Sequence, residues 1–232
     1  MRILHLYHDL MNLYGDYGNI QILCSHLMDQ GLDVRTDTKS VGDDIDFSLY
    51  DMIYIGPGTE TRQETARRDL LGRSHEMISA VLDGKVVLAT GNAMELFGDS
   101  ISSEKCLGLI PMKTVLTDRR YTGDVIVTSP LTGAVAGFIN RSSLTDISSE
   151  DALFTYLFRS KGLPAEKAEG YRYLNLFGTH LIGPVLTKNP RFMDLFVKTL
   201  TERSGRKYEP VSYPLEESIY NNTMQQLCRR RR

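Results

Sequence analysis

Residues 86–98, with the sequence VVLATGNAMELFG, carry the pattern that most constrains the fold of this chain. An apolar run meets a turn of small residues, and a helix-like apolar spacing follows. This order predicts a buried strand, a sharp turn and a short helix, the layout that presents a catalytic nucleophile in α/β enzymes. Gly91 stands at the tip of the turn, where such an enzyme has Ser or Cys. The pattern therefore indicates the framework of an active site without its reactive side chain.

Strand and helix patterns alternate through the first half of the chain. Strands are predicted at residues 2–7, 32–36, 52–55 and 85–89, and helices at residues 18–31 and 64–82. In the first helix, apolar residues recur at i, i+3, i+4 and i+7, which places them on one buried face. The alternation predicts an α/β fold with a mostly parallel, doubly wound sheet flanked by helices.

The pattern changes after Gly98 to short strand-like pieces with few helices. These pieces, at residues 113–116, 124–128 and 134–138, predict antiparallel strands in the second half. Residues 147–162 are ambiguous, with a helix start after residues 148–151 as one option. A late strand is predicted at residues 171–177, and a last helix at residues 189–200 with Pro190 in its first turn. The simplest division is one domain over residues 1–205 and a C-terminal extension with a basic tail over residues 206–232.

The composition argues against several classes of protein. A formal net charge of −2 gives no basic surface for nucleic acid. No apolar run reaches the roughly 20 residues that span a bilayer, and the N-terminus lacks the apolar region and cleavage site of a signal peptide. Three cysteines without motif spacing argue against a disulfide framework. These features predict a reduced, cytoplasmic protein without a transmembrane segment.

Four arginines, residues 229–232, form a basic run. Two interpretations stay open for this run. It is a solvated tail, or it contacts an acidic partner or an anionic lipid surface.

Three loops are predicted to meet at one site, because open α/β sheets bind ligands beyond the carboxyl ends of their strands. They are the loop after the first strand, the loop that contains Gly56 and Gly58, and the turn at Gly91. The backbone N–H of Gly58 is a candidate oxyanion donor, and a plain turn is the alternative. His180 follows the late strand and is either a general base or a structural histidine.

These motifs together resemble those of the class I glutamine amidotransferases of the cobyric acid synthase type, the CobB/CobQ family. Residues 6–19, LYHDLMNLYGDYGN, match the first-strand motif LYPDLLNxYGDxGN except at His8. Residues 56–63 resemble the oxyanion-side loop GGGxDxxQ. Residues 137–140 resemble part of a GFENH segment, and residues 178–190 resemble GTYLHGP followed by NP.

The resemblance implies a glutaminase domain that supplies ammonia, with no cofactor and no metal. It also implies a heterodimer with a MurT-like Mur ligase subunit, which amidates the D-glutamate of lipid II in peptidoglycan synthesis. By the same resemblance, Gly56, Gly58 and Asn92 lie on the oxyanion and substrate side. Arg120, with Arg119 as its competitor, corresponds to the arginine that binds the carboxylate of glutamine.

The sequence departs from the family pattern at the positions that correspond to catalytic residues. Gly91 stands at the position of the catalytic cysteine, and Ile182 stands at the position of the catalytic histidine, while His180 replaces a tyrosine. Glutamine hydrolysis in this family needs a thiolate that forms a thioester. The sequence therefore predicts a degenerate glutaminase. The alternatives are a subunit that binds glutamine without hydrolysing it, a scaffolding or regulatory subunit, and an enzyme with a site relocated around His180.

Overall fold

One sheet of eleven strands organises residues 1–148 and 150–230, the part of the chain that the computed structural model describes. The strand order is β2-β1-β3-β4-β11-β10-β9-β7-β5-β6, and β8 pairs with β7 outside this path. The strands are β1 (Arg2–Leu6), β2 (Arg35–Lys39), β3 (Met52–Ile55), β4 (Val86–Thr90), β5 (Ser100–Ile101), β6 (Glu104–Lys105), β7 (Lys113–Ser129), β8 (Gly133–Thr145), β9 (Ala152–Arg159), β10 (Ala168–Tyr173) and β11 (Leu176–Thr179).

The half of the sheet formed by β2, β1, β3, β4 and β11 is parallel. Its inner strands are buried on both faces, which explains their nearly continuous apolar sequences. One hydrophobic core contains residues of α2 (Glu60–Gly72) and α3 (Ser74–Leu82), and the other contains residues of α1 (Gly18–Asp29) and α4 (Pro190–Arg203). Alternate strand residues enter the two cores. The predicted α/β class, with a doubly wound parallel sheet and antiparallel strands in the second half, is confirmed.

The antiparallel half is more extensive than the short pieces predicted from the sequence. β7 and β8 form one long hairpin, with a register shift between Leu116 and Tyr121. The ambiguous segment after residue 147 forms β9 rather than a helix. The late strand is two strands, because Leu174 takes a positive φ of 53° and turns the chain between β10 and β11. Short local patterns underestimated these strands because exposed polar residues interrupt their apolar runs.

One helix prediction and one strand prediction also need correction. The helix predicted at residues 64–82 is split at Arg73, which has non-helical angles and follows Gly72, a weak helix former. The second strand begins at Arg35, later than predicted, because residues 30–32 form the capping turn that follows α1. Gly31 has a φ of +74°, and the Leu32 N–H donates to Leu27 O at 3.2 Å, as in a Schellman cap. A further helix, α5 (Pro214–Arg230), follows α4.

His5 on β1 makes the fold sensitive to acid. Its side chain is buried against Tyr54, and burial, together with nearby His8, lowers its pKa to about 4. The folded state therefore favours the neutral ring. Stability is full above the unfolded-state pKa of about 6.5 and falls as the pH drops towards 4. We expect this group to cost about 3 kcal/mol of unfolding free energy by pH 4.

The measurement is urea unfolding of the wild type and of His5→Gln at pH 7 and pH 4. The variant should lose less stability than the wild type over this interval. His75→Gln is the matched control, because His75 is exposed and its loss should leave the pH dependence unchanged. Equal pH dependence in the wild type and His5→Gln would contradict the prediction.

Candidate functional site

The turn after β4 has no room for a side chain at Gly91. Gly91 has a φ of +59°, a left-handed conformation that glycine adopts without strain. A Cβ at this position would lie 2.6 Å from Pro57 Cβ and 3.0 Å from Ile182 Cγ2. The structure thus places Gly91 beside Ile182, the residue that the sequence resemblance paired with it. Apolar atoms fill the space that a nucleophile would need.

The candidate oxyanion donor is also occupied. The Gly58 N–H donates to Asn92 Oδ1 at 2.9 Å, and Asn92 Nδ2 donates back to Gly58 O at 3.0 Å. Gln63 Nε2 donates to the Asn92 carbonyl oxygen at 2.7 Å, which fixes the other side of the turn. A Cβ at Gly56 would lie 2.7 Å from Met11 O, so glycine at this position lets the loop after β1 pack closely. Asn92 therefore ties the turn after β4 to the loop after β3.

Asp16 links the loop after β1 to the ends of β3 and β4 and to the segment after β11. Its carboxylate accepts hydrogen bonds from Tyr54 Oη at 2.6 Å, from Thr90 Oγ1, and from the Gly183 N–H at 2.9 Å. Burial raises the pKa of the Asp16 carboxyl. Asn19 makes a parallel link, because its Oδ1 accepts from the Leu186 N–H at 2.8 Å. Asp16 and Asn19 of the first-strand motif thus hold the segments around the site together. The sequence alone did not assign this role.

Behind the turn lies a buried cluster of charged side chains that includes His180. Arg141 Nη1 lies 2.9 Å from His180 Nδ1, and His180 Nε2 lies 3.3 Å from Glu95 Oε1. The His180 backbone N–H donates to Glu169 Oε1 at 2.7 Å. Arg141 also donates to Glu166. We call these five residues the buried charge cluster. Its burial and mutual pairing make it a structural network.

The buried charge cluster connects to the turn through Glu95. Gln63 Nε2 donates to Glu95 Oε2 at 2.7 Å, and Ser143 Oγ donates to Glu95 Oε1. The sequence pattern indicated His180 as a candidate but did not indicate Glu95 or Arg141. Two signals were available in the sequence. The alternation of inward and outward side chains along β8 predicts that Arg141 points inward, and the place of Glu95 in the apolar segment after β4 predicts the same for Glu95.

A narrow open cleft, with a free volume of about 20 Å³, lies in front of the turn. Its lining contains Gly58, Asn92 and Arg120, but His180 and Ile182 are not among the lining residues. The residues that line it are Tyr14, Pro57, Gly58, Glu60, Gln63, Asn92, Glu95, Leu116, Arg120, Asn140, Arg141, Ser142 and Ser143. Arg119 points elsewhere, since it donates to Gly162 O and lies over the Tyr121 ring. The geometry favours Arg120 over Arg119 as the cation of this cleft.

Two residues of the C-terminal arginine run, Arg229 and Arg230, are among the described residues, and both are exposed. Arg230, at the end of α5, pairs with Asp124 of β7. Residues 231 and 232 lie outside the described residues. Within residues 1–148 and 150–230, no helix is long and apolar enough to cross a membrane. In the same residues, no three His, Cys, Asp or Glu side chains form a group suited to a metal ion.

Two sequence comparisons agree on the family. The profile of the CobB/CobQ-like glutamine amidotransferase domain matches residues 2–190. The chain is 30% identical over 228 residues to the GatD subunit of the glutamine-hydrolysing lipid II isoglutaminyl synthase of Streptococcus pneumoniae, covering 94% of this chain and 86% of that protein. It is 28% identical over 224 residues to the same subunit from Staphylococcus aureus, covering 94% and 92%.

Solved structures share the fold at low sequence identity. PurLQS from Thermotoga maritima matches with a TM-score of 0.60 and 16% identity, covering 87% of this chain and 98% of that chain. The glutaminase domain of Trypanosoma brucei CTPS with bound acivicin matches with a TM-score of 0.53 and 12% identity, covering 90% and 96%. These matches place the chain among glutamine amidotransferase folds.

Proposed function

Because the chain belongs to the CobB/CobQ-like glutamine amidotransferase family, we propose that it is a GatD-like subunit that does not hydrolyse glutamine by the Cys–His route. Its partner in this proposal is a MurT-like Mur ligase subunit that amidates the D-glutamate of lipid II. The GatD relatives support the role as a subunit of such a synthase. The partner ligase would use free ammonia, and the chain would contribute as a scaffolding or regulatory subunit.

The closed turn at Gly91 carries this proposal. Thioester formation needs a thiolate beside the glutamine amide, and Gly91 offers no side chain. Pro57 and Ile182 occupy the space around it, so no neighbouring group reaches that point as a substitute. Asn92 holds the Gly58 N–H, which removes the donor that would stabilise an oxyanion.

The three cysteines do not supply a replacement. No cysteine is among the residues that line the cleft. Cys106 is buried, and burial raises its pKa to about 11, which keeps it protonated at neutral pH. Cys24 lies on α1 beside Thr36, and Cys228 lies on α5.

A site relocated around His180 is not favoured. A general base needs a free ring nitrogen within reach of the proton it takes. The His180 ring is buried and contacts Arg141 and Glu95. The structural role therefore explains His180 better than a catalytic one.

The test is release of glutamate from glutamine by the purified chain, alone and co-purified with the MurT-like ligase. We expect no release above background in either sample. The complex should amidate lipid II with ammonium chloride as the nitrogen donor and not with glutamine. A variant lacking all three cysteines, Cys24→Ser, Cys106→Ala and Cys228→Ser, is the control. Turnover that this variant loses would contradict the proposal, because it would demonstrate a thiol nucleophile.

A further inference from the structure

Arg120, the exposed cation of the cleft, is already bound to an internal carboxylate. Its Nη2 donates to Glu60 Oε1 at 2.7 Å, and its Nη1 donates to Asn140 Oδ1 at 2.9 Å. Ser142 Oγ donates to the same Glu60 oxygen. Asn140 Nδ2 in turn donates to Tyr14 Oη at 3.0 Å. Both terminal nitrogens of the guanidinium therefore have partners within the chain.

These contacts cross the cleft from three sides. Tyr14 comes from the loop after β1, Glu60 is the first residue of α2, and Arg120, Asn140 and Ser142 come from the β7–β8 hairpin. All five line the cleft, and we call them the rim cluster. A ligand carboxylate that approached both terminal nitrogens of Arg120 would meet Glu60 on Nη2 and Asn140 on Nη1, and would have to displace both.

Several features keep Glu60 ionised and in place. The hydrogen bond from Ser142, followed by the Arg120 guanidinium, holds the pKa of the Glu60 carboxyl below its usual range. Glu60 also lies in the first turn of α2, where the helix dipole favours a negative charge. The carboxylate is thus present at neutral pH and is directed to the cleft cation.

The pair is nevertheless displaceable. The Arg120 and Glu60 side chains are 49% and 44% exposed. Half-exposed ion pairs contribute little to stability because water and salt compete with them. A small molecule with its own carboxylate could therefore exchange with Glu60 at Arg120 without disturbing the buried charge cluster below.

We propose that Glu60 is an internal competitor that occupies the carboxylate site of the cleft and weakens binding of small amino acids there. This inference rests on the proposed function, because it assumes that the cleft binds an amino acid and does not hydrolyse it. The rim cluster would then set the threshold concentration at which the chain senses an amino acid such as glutamine or glutamate.

The experiment is calorimetric titration of the full chain with L-glutamate and L-glutamine at low ionic strength. Glu60→Gln removes the competing charge and keeps the size of the side chain. We expect this variant to bind both amino acids about two- to fivefold more tightly than the wild type, the range for release of an exposed ion pair. Arg120→Gln in the same background should abolish the gain.

Glu64→Gln is the matched control, because it makes the same change in net charge on the same helix. Glu64 pairs with Arg67 and Arg68 and does not line the cleft, so its affinities should equal those of the wild type. Unchanged or weaker binding by Glu60→Gln, or no binding by either protein, would overturn the inference. Glutamate release in these samples would instead contradict the proposed function, and titration with L-glutamate, which cannot be hydrolysed, keeps the two results separate.

Discussion

Replacing Gly91 with alanine should lower the free energy of unfolding by about 2–5 kcal/mol. Two effects add at this position. The left-handed backbone, with a φ of +59°, strains any residue with a Cβ, and the Cβ would press on Pro57 Cβ at 2.6 Å. Pro57 is a rigid ring and Ile182 is buried beside it, so neither yields easily. Urea unfolding followed by circular dichroism measures the change.

Gly15→Ala separates the strain from the clash. Gly15 has a φ of +69°, and among the described residues no atom beyond its chain neighbours comes within 4 Å of a Cβ there. It should therefore cost only the backbone term, about 1–2 kcal/mol. Adding Pro57→Gly to Gly91→Ala, with Pro57→Gly alone as reference, should recover the excess. Equal costs for Gly91→Ala and Gly15→Ala would show that the turn is open, and would remove the main support for a closed site.

The second large effect is expected at Arg141. Arg141→Ala should destabilise the fold by about 3–5 kcal/mol, because it leaves the Glu166 carboxylate and the buried His180–Glu95 pair without their cation. Arg141 is 4% exposed, donates to Glu166, and contacts the His180 ring, which in turn contacts Glu95. The midpoint of urea unfolding should fall accordingly. Arg141→Lys keeps the charge but loses the planar fork, so an intermediate loss is expected.

Arg68→Ala is the control for a lost arginine without a buried role. Arg68 is 75% exposed and pairs with Glu64 one helical turn away. Its removal should cost no more than about 0.5 kcal/mol. If Arg141→Ala cost as little, the buried charge cluster would contribute nothing to stability, and His180 would again need a functional explanation.

Both predictions concern the closely packed surroundings of the turn after β4. Pro57, Gly91 and Ile182 form one contact, and Asn92 and Gly58 form a second beside it. Under the proposed function no thiol is needed at this turn, and filling the space stabilises the fold, since buried voids and unpaired donors are costly. The exposed cleft in front, with Arg120 and Glu60, remains the part of the site that a ligand can reach.

Local patterns predicted the parallel half of the fold well and the antiparallel half poorly. The strand at Met52–Ile55 was predicted with its bounds, because buried parallel strands are continuous apolar runs between turn residues. β7 and β8 were predicted only in fragments. Their pairing extends through exposed polar residues, and a long hairpin is stabilised by cross-strand contacts that a local pattern does not contain.

The sequence by itself determined the α/β framework, the family, and the absence of a nucleophile at Gly91 and of a histidine at residue 182, because these depend on residue type and spacing along the chain. Only the tertiary structure decided which side chains contact one another around the turn and in the cleft. Gly58 and Asn92 are 34 residues apart, Glu95 and His180 are 85 apart, and Glu60 and Arg120 are 60 apart. Whether such groups meet depends on how the strands and loops pack. The packing closes the turn at Gly91, buries the charge cluster behind it and places Glu60 on Arg120 in the cleft.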